Sequence, residues 1–158
     1  TTPYLGAKLS AQEAALLLRG LRTLPLRLQR HQASALMLAK RICEHPGVTA
    51  VHHPGLSPAP YSSLTGYGGL FSFEVDDSID IPAFCNSLEL FRLGVSWGGY
   101  ESLVMPAEVS IRQAGTPSAA IDFGVPARLI RLFVGLEDPE DLWRDLHTAL
   151  TSPVHRER

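Results

Sequence analysis

Near the carboxyl end of the chain, Leu129-Ile130-Arg131-Leu132-Phe133-Val134 forms an apolar run with a single arginine at its centre. Such a run predicts a β-strand, the strongest in the sequence. Alternation along the strand puts Ile130, Leu132 and Val134 on one face and Leu129, Arg131 and Phe133 on the other. Arginine is almost never fully buried without a partner. The Arg131 guanidinium therefore either pairs with a structural carboxylate or offers its fork to the carboxylate of a ligand. A helix follows at once. Asp138 is a good cap, Pro139 suits the first helical position, and Glu140 and Asp141 place negative charge in the first turn. Leu142, Leu146, Ala149 and Leu150 supply its apolar face.

The other elements read in the same way. Ser10-Ala11-Gln12-Glu13 is a capping box that opens a first helix, with Gly20 inside it or near its end. Pro25 fits the first turn of a second, longer helix. Leu28, Ala35, Leu38, Ala39 and Ile42 trace its apolar stripe, and His45-Pro46-Gly47 ends it. Val48, Ala50 and Val51 predict a short strand. The stretch 52–69, rich in Pro, Gly and Ser, predicts a long loop. Leu70–Val75 alternates as a strand. Asp80 caps a short helix, and Phe91–Val95 and Leu103–Met105 are two further strands. Residues 107–128 carry little pattern, with Gly115, Pro117, Gly124 and Pro126 as breakers. Together these elements predict an α/β (α+β) two-layer fold. A small, mostly antiparallel sheet carries helices on one face. The whole of 1–158 is one domain, with residues 1–24 as a helical linker region.

The net charge of -2 is scattered along the chain, which argues against a nucleic-acid partner. No apolar run reaches the ~20 residues of a membrane span. The amino terminus lacks the pattern of a signal peptide. Cys43 and Cys85 are far apart and outside any Cys-x-x-Cys pair. They are expected to be reduced and mostly buried, as in a cytoplasmic protein. The histidines show no metal-ligand spacing, and His52-His53 reads as two solvated imidazoles in a loop. No phosphate-binding glycine loop, His-Glu-x-x-His or Gly-x-Ser-x-Gly motif is present.

One further segment is unusual: Ser96-Trp97-Gly98-Gly99-Tyr100-Glu101-Ser102-Leu103. A glycine pair after a tryptophan lets backbone approach a neighbour closely. Either a bound molecule sits against this loop, or the segment is a tight turn with Trp97 as a core anchor.

These segments resemble the carboxyl-terminal domain of the Cys/Met-metabolism pyridoxal-phosphate enzymes, of fold type I. The matching stretches run in family order. They are Leu18–Leu24, Arg30-His31, His45–Val48, His53–Leu56, Gly68–Phe73, Ser96–Leu103, Leu129–Leu132 and Val134–Asp138. The resemblance implies that Arg131 clamps the substrate α-carboxylate, that Ser96 lies beside cofactor and substrate, and that Trp97 walls the carboxylate pocket. Tyr100 and Glu101 would brace the loop. It also implies pyridoxal 5'-phosphate in the full-length enzyme, held by an amino-terminal domain absent from this chain. Lys8 and Lys40 do not match the family's lysine motif. No cofactor is therefore expected on this piece alone, nor any turnover. Trp97 and Val95 point to the cystathionine β-lyase branch. The implied reaction is α,β-elimination of cystathionine to homocysteine, pyruvate and ammonia by a homotetramer. Methionine γ-lyase, another cysteine-conjugate lyase or a γ-synthase is the alternative, as is a free-standing, non-catalytic carboxylate-binding module.

Overall fold

The computed structural model describes residue 6 and residues 8–56, 64–113 and 119–151. The elements run α1 (Ala11–Cys43), β1 (Val48–His52), β2 (Leu70–Val75), α2 (Ile81–Ser87), β3 (Arg92–Leu93), β4 (Leu103–Pro106), α3 (Ala107–Gln113), α4 (Ala119–Asp122), β5 (Leu129–Phe133) and α5 (Pro139–Thr151). The five strands form one sheet in the order β1-β2-β5-β4-β3. Every neighbouring pair is antiparallel except β3 and β4. The arginine-bearing strand thus lies at the middle of a small mixed sheet, flanked by β2 and β4.

Alternation divides that sheet into two chemically distinct faces. On one, Phe71, Phe73, Val104, Ile130 and Leu132 pack with Ala35, Leu38, Ala39 and Ile42 of α1. Phe84 of α2 and Leu142 and Leu146 of α5 complete this core. Burial of each such Leu or Phe contributes about 1.5–3 kcal/mol. The opposite face carries Ser72, Arg131 and Met105, which stand in register across three strands. Leu103, Met105 and Phe133 on that face are also buried, yet lie outside the main core. The two-layer architecture is therefore the expected one.

The two expected amino-terminal helices are one continuous helix. The capping box forms at its start, with Glu13 N donating to Ser10 Oγ and Ser10 N donating to the Glu13 carboxylate. Pro25 lies within the helix. It lacks an N–H, so the Leu21 carbonyl loses its usual donor. Side chains crowd the neighbouring turn in compensation: Arg27 donates to the Gly20 carbonyl at 2.9 Å and Thr23 Oγ1 to the same oxygen at 3.4 Å. Leu28, expected on the core stripe, is 46% exposed, because the stripe enters the core only after His31. The strand expected at Phe91–Val95 shortens to two residues, and part of 107–128 folds as α3 and α4. The breakers Gly115 and Pro117 lie outside the described residues, as does the tail after Ser152. Neither cysteine is disulfide-bonded. Cys43 is exposed rather than buried, because it ends α1 on its outer side. Cys85 is partly buried, and burial pushes its thiol up to about 11.

A single carboxylate fixes the entry to β3. Asp145 of α5 accepts from the amides of Glu89, Leu90 and Phe91 at 2.8, 2.9 and 3.2 Å. Asp145→Ala strands these donors, and a loss of about 1–3 kcal/mol in unfolding free energy is expected from urea titration. Asp145→Asn, which keeps one acceptor oxygen, should lose less.

Candidate functional site

Arg131 projects from the middle of β5 between Ser72 and Met105. Its terminal nitrogen donates to the main-chain carbonyl of Val95 at 2.8 Å and weakly to that of Gly94 at 3.4 Å. Its Nε is buried and has no hydrogen-bond partner among the described residues. No described carboxylate forms an ion pair with it. Arg128, three residues earlier, shows the opposite pattern. It donates to the carbonyls of Val75, Asp76 and Ile79 and so locks the end of β2 to β5. Of the two arginines, Arg128 is spent on structure. Arg131 keeps a net charge and an unused donor on the open face of the sheet.

The Ser96–Leu103 loop stands against Arg131, since the carbonyl that orients the guanidinium belongs to Val95. Ser96 is exposed. Trp97 is 68% exposed, so it is not a core anchor. Gly98 adopts φ 87°, a left-handed conformation that turns the chain sharply after the indole. The Glu101 carboxylate lies against Gly99 within the loop, and a second acid braces the loop from below. Glu137 accepts from the amide and hydroxyl of Ser102, both at 2.8 Å. Gly135 N donates to Ser102 Oγ at 2.8 Å, and Leu136 N donates to the Tyr100 carbonyl at 2.8 Å. Tyr100 thus contributes its backbone while its side chain is 76% exposed.

Beyond Trp97 lies a cleft of about 420 Å³, lined by Leu24, Leu28 and His31 of α1 and by Leu70, Trp97 and Phe133. Leu70 pairs with Phe133 two positions along β5 from Arg131, on the same face of the sheet, so the cleft adjoins the arginine. The structure thus brings Arg131, Ser96 and Trp97 to one place. It adds Phe133, His31, Ser102 and Glu137, which no spacing rule picks out. The paired histidines are not two solvated rings. His52 ends β1 and bonds to Glu74 at 2.7 Å. His53 is buried, accepts from Gly55 N at 2.9 Å, and burial lowers its pKa below that of ordinary imidazole.

Residues 2–151 match the family model described as Cys/Met metabolism PLP-dependent enzyme. The chain belongs to this family. It is 40% identical over 151 residues to the L-methionine gamma-lyase of Pseudomonas putida, covering 92% of this chain and 38% of that protein. It is 39% identical over 158 residues to the cystathionine beta-lyase of Escherichia coli, covering 95% and 40%. Among solved structures, a cystathionine gamma-lyase from Micromonospora echinospora superposes with a TM-score of 0.83 at 35% identity, covering 96% of this chain and 41% of that one. The chain therefore spans about two-fifths of the length of the family members it matches.

Lys8 and Lys40 are both exposed, and neither lines the cleft beside Arg131. Among the described residues Arg27, which lines the cleft, and Arg131, which adjoins it, both lack an acid partner; Arg27 is bonded to the Gly20 carbonyl, and Arg131 keeps a buried Nε without a partner, a donor suited to a carboxylate.

Proposed function

We propose that this chain forms the substrate-carboxylate half of a PLP-dependent carbon–sulfur lyase that eliminates across a C–S bond of a sulfur amino acid. The observation that carries this reading is Arg131. Its guanidinium has no acid partner among the described residues, keeps an unused donor and is held by the carbonyl next to Ser96 and Trp97. Fixing a substrate by its carboxylate restricts rotation about the bonds to the α-carbon, which contributes to rate through orientation. When bound in the complete protein, the cofactor would supply the electron sink for elimination. Arg131 itself moves no proton.

Within this reaction class we favour cystathionine as substrate and β-elimination as outcome. The Ser96-Trp97-Gly98-Gly99 motif supports it, because a tryptophan at this place resembles the cystathionine β-lyase branch. The test is product analysis on the complete gene product. Pyruvate and homocysteine from cystathionine support β-elimination. A four-carbon oxo acid from cystathionine, or methanethiol from methionine, would transfer the assignment to a γ-lyase. This chain alone is expected to yield none of these products.

A further inference from the structure

His31 lies on α1, is only 2% exposed, and lines the cleft beside Trp97. Its Nδ1 is 2.8 Å from the carbonyl of Val134. A carbonyl only accepts, so Nδ1 carries the proton and donates. Nε2 is then the bare nitrogen, and it has no partner among the described residues. The ring also packs at 51° on Phe133, with centroids 5.1 Å apart. Val134 is the first residue after β5, and its own amide donates to the Gly69 carbonyl at 2.8 Å. Gly69 sits so near that a Cβ there would come within 3.3 Å of His31 Cβ and 3.1 Å of the Phe133 ring. Three elements therefore meet at one imidazole: the helix that walls the cleft, the Gly68–Leu70 turn, and the end of the strand that carries Arg131.

We propose that His31 is a positioning residue for the Arg131 site, acting through its Nδ1–H bond to Val134. The proposal rests on the reading of Arg131 as the carboxylate clamp. The geometry gives the reason. Gly135 and Leu136 are tied to Ser102 and Tyr100, so the Trp97 loop is fastened to the segment that starts at Val134. Arg30 of α1 also reaches this segment, with a longer bond of 3.3 Å to the Glu137 carbonyl, but among the described residues lining the cleft it is the 2.8 Å histidine bond that fastens the segment to α1. Without it, β5 and the loop can shift together against the helix, and the fork and the indole move relative to a ligand that bridges them. A misplacement of about 1 Å is enough to weaken the binding of such a ligand.

The bond geometry separates this role from simple packing. Asparagine places its amide nitrogen where Nδ1 stands and has nothing at Nε2. Glutamine extends its amide to the Nε2 position and leaves Val134 unserved. Phenylalanine keeps the ring on Phe133 and removes both nitrogens. In the complete enzyme, H31F and H31Q are expected to raise KM for the amino-acid substrate about tenfold while kcat stays within about threefold. H31N should hold KM within about threefold of wild type. Wild-type KM in H31F, equal damage in H31N and H31Q, or a loss confined to kcat would each overturn the proposal. If H31F does not fold, the contrast between H31N and H31Q still decides. R131Q measured alongside distinguishes the two levels. Raised KM in R131Q with normal KM in both H31F and H31Q defeats only the histidine role. Normal KM in all three defeats the carboxylate reading itself.

Discussion

In the complete protein, Arg131→Ala is expected to raise KM for its amino-acid substrate about a hundredfold, with the cofactor spectrum unchanged. The magnitude follows from the bond lost. A hydrogen-bonded charge pair shielded from water contributes about 1.5–3 kcal/mol, and ~1.4 kcal/mol is a factor of ten. Arg131→Lys should recover only part of this. An ammonium restores the charge but not the planar fork, and it cannot both hold the Val95 carbonyl and chelate a carboxylate. The order wild type, lysine, alanine in KM is the signature of a fork. Equal KM for lysine and wild type would mean that charge alone matters. Unchanged KM in both variants, with lowered thermal stability, would mean that Arg131 is a structural residue like Arg128. A control ligand sharpens the test. The decarboxylated amine of the substrate should bind wild type and Arg131→Ala alike, because it offers the guanidinium nothing.

The contrast between Arg128 and Arg131 also marks the limit of what the sequence discloses. Arg131 stands out because it interrupts an apolar alternation, and its isolation from acids is a matter of neighbours. The strand, its facing and the helix capped by Asp138 were legible, because strand period and cap chemistry are local. The same holds for the Asp80 cap, whose carboxylate accepts from Ala83 N at 2.9 Å. Continuity through Pro25 was not legible. The helix forgoes one backbone bond, the Leu21 carbonyl's, and residues on both sides of the proline keep it continuous, which the proline rule does not count. The roles of Glu137 and His31 were hidden for a different reason. Each acts over a long sequence separation, 35 residues for Glu137 to Ser102 and 103 for His31 to Val134. The resemblance implied Tyr100 and Glu101 as braces from within the loop. Glu137 is a further brace, which the chain supplies by folding back to Ser102. Family membership was legible because several short motifs occur in a fixed order, which is evidence no single motif carries.

Gly135→Ala is expected to destabilise the fold by about 3 kcal/mol, and to lower the melting temperature by several degrees, as overpacking against backbone does. A Cβ at this position would collide with the Tyr100 carbonyl and the Glu137 carboxylate, and would stand 2.7 Å from the carbonyl carbon of Glu101. Two of those three are main-chain groups of the loop that carries Trp97, so no rotamer change relieves the clash. Relief requires the loop to move away. Movement breaks the Gly135–Ser102 and Leu136–Tyr100 bonds, which are the ones that hold the loop in place. Stability and substrate binding should therefore fall together, although residue 135 touches no ligand. Gly20→Ala is the matched control, since a Cβ there meets nothing within 4 Å and residue 20 does not line the cleft. It should leave both nearly unchanged. A Gly135→Ala protein that melts normally would show that the 100–102 backbone yields cheaply. A protein that melts early yet binds substrate with normal KM would show that the brace is not what places Trp97. The third possibility is a paired loss that deepens in Gly135→Val, whose branched side chain forces the loop further. That result would identify the close approach of these two backbones as the support on which the carboxylate site stands.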